Sequence, residues 1–332
     1  MRLSSIGDVI HTLPAYSALR NAWPSTHLGW AVEPAAAPLL RRIPNGPSVH
    51  VLDTHAWRRS FWRPESLRSM RGAINQLREA RYELALDFQG LMKSAIFARV
   101  SGARVWGLAD RDLREPFASR LYDASAPPSD PEAHIIERSL HLVETTGVSK
   151  SRPRFPPVHN RKDERLVGAE LDELGIEQFI VMHGSANWQS KRWPLEQQTA
   201  VGRDLYRQSG MTVLWCWGPG EQRSAHRLAA IAGEGNMAAF PTTLPQLAAL
   251  LNRAQLFIGG DSAPPPATCA RAISSVSEAR GESPPSLHAT SECLGYHRQC
   301  GQDLVHPGRR CTPWVLGSRC RRSFLRPTVS PT

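Results

Sequence analysis

Between residues 28 and 260, short apolar runs alternate with segments of helical period, and the series starts twice. Strand-like runs fall at 28–32, 49–53, 83–87 and 104–107, then again at 179–183, 211–216 and 256–260. The apolar spacing predicts helices over 65–81, from 92, and over 131–147, 162–175, 194–210, 222–232 and 244–253. Strands separated by helices pair as parallel sheets covered on both faces. The fold class is therefore α/β, and the proline- and arginine-rich stretch 149–157 divides it into two doubly wound domains. The expected extents are 1–155 and 156–262, with 263–332 standing apart. Ligands of such sheets bind outside the carboxyl ends of strands, so the residues that follow strands carry the functional information.

The beginning departs from this scheme. Residues 1–3 run straight into Ser4, Ser5, Ile6, Gly7 and Asp8, which read as a strand-to-helix turn opening a helix at about Val9. The first strand, usually the central one of such a sheet, is missing.

Several classes are excluded. A chain of 332 residues with 41% hydrophobic side chains is not wholly disordered. No run approaches the roughly 18 apolar residues of a membrane helix, and no basic-then-apolar leader opens the chain. Six cysteines without CxxC spacing fit a reducing cytoplasm. The net charge of +10 suits nucleic acid, an anionic membrane or phosphorylated ligands, without choosing among them. Neither GxxxxGK[ST] nor GxGxxG occurs, which argues against a P-loop nucleotidase and an NAD enzyme. Before residue 263 there is no DxD pair and no His/Cys cluster, so no metal site is indicated.

The turns after the strands hold the candidates. Asp8 is either an ordinary cap of the first helix or a carboxylate held to take a proton from an attacking hydroxyl. Asp87, Gln89, Lys93 and Ser94 crowd into one loop, as a capped helix start or as a polar site. The segment 183–194 is small, polar and basic, and leads into a helix N-terminus. Backbone N–H groups plus the point charge of Lys191 suit a phosphate there. The turn ending in Glu221 and the turn Gly259, Gly260, Asp261, Ser262 follow the next strands. The second domain is thus expected to hold a phosphorylated ligand.

Beyond residue 262 the character changes. Residues 263–332 carry nine arginines, no lysine, nine prolines and five of the six cysteines. No sustained period of 3.6 or 2 is visible. Arginine-, proline- and serine-rich sequence of this kind is what an out-of-frame reading of a GC-rich gene yields. The segment therefore reads as an irregular, frameshifted tail. The spacing of Cys293, Cys300, Cys311 and Cys320 lacks the CxxC pair of a zinc knuckle.

Six segments in order, SSIGDVIHTLP (4–14), DFQGLMKSA (87–95), REPFASRLY (114–122), HGSANWQSKRWP (183–194), WGPGE (217–221) and GGDS (259–262), resemble the lipopolysaccharide heptosyltransferases of glycosyltransferase family 9. The second and third look most like the heptosyltransferase I branch. The resemblance implies the GT-B architecture, two Rossmann-like domains facing a cleft, with the C-terminal part of the second lost here. It implies inverting, metal-independent transfer of L-glycero-D-manno-heptose from ADP-heptose to the Kdo sugar of Kdo2-lipid A. Asp8 would be the general base. Lys191 would neutralise the donor pyrophosphate, with Ser185 near the phosphates and Glu221, Asp261 and Ser262 on the nucleotide sugar. Thr242 would line the adenine pocket. Ser4, Ser5, Gln89, Lys93 and Arg114 are acceptor-side candidates. No cofactor is implied, ADP-heptose being a substrate. The implied setting is cytoplasmic, with peripheral contact at the inner face of the inner membrane and no nucleic acid.

Two departures stand against this. The family's first strand is gone, with Arg2 matching the basic residue before the Ser-Ser turn. After Ser262 the family's glycine, histidine and helix give way to Ala263 and three prolines, Pro264, Pro265 and Pro266, which cannot enter a helix interior. The alternative reading is a catalytically dead relative or truncated product with a basic, disordered tail.

Overall fold

The computed structural model describes residues 1–184 and 194–259, with the backbone of two short strands at 274–275 and 314–317. The chain divides into two compact units, Met1–Asn160 and Arg161–Thr332. The division falls five residues beyond the boundary expected from composition, after a stretch in which Val158 and His159 are buried.

The first unit opens with α1 (Ile6–Ala22), followed by β1 (Gly29–Val32), α2 (Ala37–Leu40), β2 (Ser48–Val51), α3 (Thr54–Arg59) and α4 (Pro64–Glu79). After these come β3 (Leu84–Asp87), α5 (Met92–Val100), β4 (Arg104–Gly107), two 3-10 turns, β5 (Ala124–Ser125) and α6 (Ile135–Glu144). Strands β1 and β2 pair in parallel, as do β3, β4 and β5. Helix α1 begins three residues earlier than expected. Gly7 and Asp8 are thus its first turn rather than a loop, and Ser5 is the N-cap.

Met1–Leu3 join the two sets of strands. The Phe88 N–H donates to the Met1 carbonyl at 3.0 Å on one side. On the other, Arg2 N–H donates to Ala31 O at 3.4 Å and Glu33 N–H to Leu3 O at 2.9 Å. No strand precedes α1, as expected, but three residues occupy the central slot between β1 and β3. Leu3 is wholly buried there, against Ala31, Leu52, Trp57, Leu77 and Phe97. Burial of one such side chain is worth about 1.5–3 kcal/mol, which holds so short a piece in register.

The second unit runs α7 (Arg161–Glu173), β6 (Phe179–His183), α8 (Leu195–Ser209), β7 (Thr212–Trp215), α9 (Gln222–Ala232), β8 (Asn236–Ala238), α10 (Leu244–Arg253) and β9 (Leu256–Gly259), with β10 (Ser274–Ser275) and β11 (Trp314–Gly317) beyond. The sheet order is β10-β11-β9-β6-β7-β8. The four strands from β9 to β8 are parallel. Its central strand β6 is apolar in successive residues because both faces are covered. Leu171, Ala249 and Leu250 pack on one face, and Ala225, Leu228 and Ala229 on the other. Gly202 lies in α8 where a Cβ would come within 2.7 Å of the buried Trp215 ring, so this helix packs close by virtue of having no side chain there.

The tail is not irregular throughout. β11 pairs antiparallel with β9, from Trp314 opposite Gly259 to Gly317 opposite Leu256. The Trp-Val-Leu run has the strand propensity to pair with the backbone edge of β9. The remaining residues of 263–332, and the frameshift reading, lie outside the described residues.

Candidate functional site

In each unit the strand order reverses around its first strand, and a crevice opens at the carboxyl end of such a reversal. In the first unit the chain goes from Met1–Leu3 to β1 and β2, then crosses back to β3. The residues after Leu3 and after Asp87 therefore converge.

Asp8 stands one turn into α1, and its carboxylate is fixed at both oxygens. Oδ1 lies 2.8 Å from Arg2 Nη2. Oδ2 accepts from the Ser5 backbone N–H at 3.2 Å and from the Ser5 hydroxyl at 3.3 Å. The first of these is the return half of a capping box. Asp8 is 27% exposed and Arg2 only 6%. Burial lowers the Arg2 pKa from its ordinary value, Asp8 opposes that, and the charge of Arg114 reinforces it. His11, the next residue along that face of α1, stacks edge-on against His134. Burial pushes the His11 ring down to about 4, and His134 adds to this.

The other acceptor-side candidates gather around the same end. Lys93 Nζ sits 2.9 Å from Glu33 Oε1 and donates to the Ser4 hydroxyl at 3.4 Å. Glu33 also accepts from the Thr54 hydroxyl. Burial raises the Glu33 pKa, but the hydrogen bonds from Thr54 and Lys93 outweigh it and the net shift is downward. Gln89 is buried, and its Oε1 accepts the Leu3 N–H at 2.7 Å. It thus satisfies the backbone N–H of Leu3 in the central slot. Arg114 is exposed and close enough to Arg2 for their charges to interact.

Asp87, singled out with this loop, is turned inward. Its buried carboxylate accepts from Gln89 N–H at 2.9 Å, Ser94 Oγ at 2.9 Å and Tyr122 Oη at 2.8 Å. Three donors satisfy a buried carboxylate and bind the loop after β3 to the loop before β5. Burial raises the Tyr122 pKa strongly, and the Asp87 charge adds to it.

In the second unit the reversal falls between β6 and β9. Glu221 caps the turn before α9, accepting from Gly218 N–H at 2.9 Å. Its Oε2 also lies 3.6 Å from Nε2 of His183, the last residue of β6. Thr242 follows β8, half-buried, next to Thr243, the N-cap of α10. Ser185, Lys191, Asp261 and Ser262 lie outside the described residues. Cys216 directly follows β7, where burial pushes its thiol up to about 12 and keeps it out of nucleophilic chemistry. Among the described residues, no group of three His, Cys, Asp or Glu is placed to hold a metal ion.

Arg2, Glu33 and Thr54 are not among the sequence candidates, and His183 is there only as the first residue of the segment 183–194. Glu33 was reachable, since it directly follows a strand. Arg2 lay in plain sight as a motif match, but its burial against Asp8 requires the fold.

Comparison with known proteins matches the glycosyltransferase family 9 (heptosyltransferase) model over residues 70–270. Lipopolysaccharide heptosyltransferase 1 of Pseudomonas aeruginosa is 31% identical over 268 residues, 79% of this chain and 72% of that protein. The Escherichia coli K12 protein of the same name is 26% identical over 80% of this chain and 88% of its own length. Among solved structures, E. coli heptosyltransferase WaaC with ADP-2-deoxy-2-fluoro heptose superimposes with a TM-score of 0.69 at 24% identity, covering 81% of this chain and 84% of that one. Structural likeness at that level shows the GT-B-type fold. The family match, with 31% identity over most of both chains, shows more: this chain belongs to glycosyltransferase family 9, the heptosyltransferases of lipopolysaccharide core synthesis.

Proposed function

We propose that the chain's reaction is inverting transfer of L-glycero-D-manno-heptose from ADP-heptose to a Kdo hydroxyl of Kdo2-lipid A. The observation that carries this reading is the Asp8 carboxylate, partly open to solvent at the strand reversal of the first unit. As the acceptor oxygen attacks the anomeric carbon, its proton passes to Asp8. The bond from that carbon to the β-phosphate oxygen breaks, and its electron pair leaves with ADP. A base positioned for the incoming hydroxyl is worth ~10²–10⁴ in rate. Lys191, Ser185 and the helix N-terminus that follows Pro194 would stabilise the charge on the departing diphosphate, so the step needs no metal. Glu221, Thr242, Asp261 and Ser262 would hold the nucleotide sugar. Ser4, Ser5, Lys93 and Arg114 would face the acceptor, with Gln89 holding Leu3 beneath them.

An amphiphilic acceptor calls for a peripheral protein on the inner face of the inner membrane. The turn between α3 and α4 supports that part of the reading. Phe61 and Trp62 are 63% and 67% exposed there, with their rings edge to face at 4.8 Å between centroids. Exposed Arg58, Arg59, Arg63, Arg68 and Arg71 surround them, with Glu65 the one acid of the stretch. Aromatic side chains flanked by arginines suit an anionic lipid surface.

The test is incubation of the purified chain with ADP-heptose and Kdo2-lipid A. The reading expects one heptose on the acceptor, equimolar ADP, and an anomeric configuration opposite to the donor's. Donor binding without transfer would favour the alternative, a relative that keeps the fold and has lost the chemistry.

A further inference from the structure

The Arg2 guanidinium is committed in an unusual way. Nη1 donates to the Phe88 carbonyl, Nη2 meets Asp8 Oδ1, and Nε is buried without a hydrogen-bond partner among the described residues. The backbone at Arg2 is held as well, for Trp30 Nε1 donates to its carbonyl at 3.1 Å. Burying an arginine with one N–H unsatisfied is costly, and an aliphatic side chain would fill the same slot without that cost. The pairing is therefore poorly explained as a device for stability.

Its effect on Asp8 is specific to one oxygen. Oδ1 is tied to a buried guanidinium whose backbone is held by Ala31 and Trp30. Among the described residues, Oδ2 has the two longer bonds to Ser5, which is exposed. A hydroxyl arriving from solvent can displace Ser5 from Oδ2 but cannot displace Arg2 from Oδ1. Once Oδ2 takes the proton, Oδ1 remains an acceptor for Arg2, so the carboxyl group keeps its orientation through the step. We infer that Arg2 is a positioning residue, which pins Oδ1 of Asp8 and thereby assigns Oδ2 to the incoming acceptor hydroxyl. This rests on the reading of Asp8 as the base.

The test uses the full chain with 13C-labelled aspartate carboxyl groups, the Asp8 resonance being assigned by its loss in Asp8→Asn. Arg2→Leu is expected to displace or broaden that resonance at neutral pH, while Arg2→Lys leaves it sharp and near its original position. In heptosyl transfer, Arg2→Leu should lower kcat at least tenfold with the KM for ADP-heptose unchanged, and Arg2→Lys should recover most of it. In an Asp8→Asn background, Arg2→Leu should add little. An unmoved resonance in Arg2→Leu, or losses that simply add in the double variant, would overturn the positioning role. Near-normal transfer by Asp8→Asn would instead remove the base itself, a separate outcome. Thermal unfolding of Arg2→Leu separates either result from misfolding, which would move all aspartate resonances together.

Discussion

The hydroxyl of Tyr122 donates to the buried carboxylate of Asp87 at 2.8 Å, joining the loop after β3 to the loop before β5. Tyr122→Phe removes that donor and leaves the rest of the ring in place. A hydrogen bond to a charged, buried group is worth about 1.5–3 kcal/mol. Urea unfolding should show a loss in that range with an unchanged slope. A midpoint equal to wild type would mean that Ser94 and Gln89 suffice for Asp87.

Asp8→Asn keeps the shape of the side chain and removes its basicity. Turnover should fall ~10²–10⁴-fold while the affinity for ADP-heptose stays as it was. Turnover close to wild type would take Asp8 out of the mechanism.

Lys191→Ala should weaken ADP and ADP-heptose together, because the charge would act on the pyrophosphate they share. Loss of one charged hydrogen bond, about 1.5–3 kcal/mol, corresponds to roughly 10–100-fold in Kd by calorimetry. If ADP binds the variant as well as the wild type, Lys191 is a solvated loop residue.

His11 predicts an acid-side loss of stability. Its pKa is about 4 in the folded chain against an ordinary 6.5, with burial as the first cause and His134 the second. Between those values the unfolded chain binds the extra proton, so stability falls as pH drops from about 6.5 to about 4. The contribution is on the order of 2 kcal/mol by pH 4.5. His11→Gln should flatten this part of the pH profile in urea titrations. A profile as steep as wild type would place the proton uptake elsewhere.

The break after Ser262 predicts a reading-frame change. The coding DNA downstream of that codon, translated in the other two frames, should continue the GGDS turn with a glycine, a histidine and a helical period. Absence of such a continuation in every frame would make 263–332 a genuine tail of this chain.

The parallel sheets were legible because strand and helix periods alternate without interruption, and helices 222–232 and 244–253 match α9 and α10 residue for residue. Short elements were not. α2, β5 and β8 have two to four residues, too few for a period, and exist through what they pack against. The segment ahead of α1 was illegible for the same reason: Met1–Leu3 take their place between β1 and β3 only through backbone hydrogen bonds to the chain on either side. For the site, glycine- and polar-marked turns led to Asp8, Lys93 and Glu221. They could not show that Asp87 faces inward, since a buried acceptor of three hydrogen bonds and an exposed base have the same local sequence.

Heptosyl transfer itself is the most direct measurement. It is read by mass spectrometry of Kdo2-lipid A after incubation with ADP-heptose, for this chain and for one with the frame restored after Ser262. Addition of a single heptose, with inversion and release of ADP, is expected. The frame-restored chain should be at least 10²-fold faster, a margin of about 2.7 kcal/mol in barrier. A frame-restored chain that leaves the acceptor unmodified, or that prefers another nucleotide sugar, would contradict that expectation.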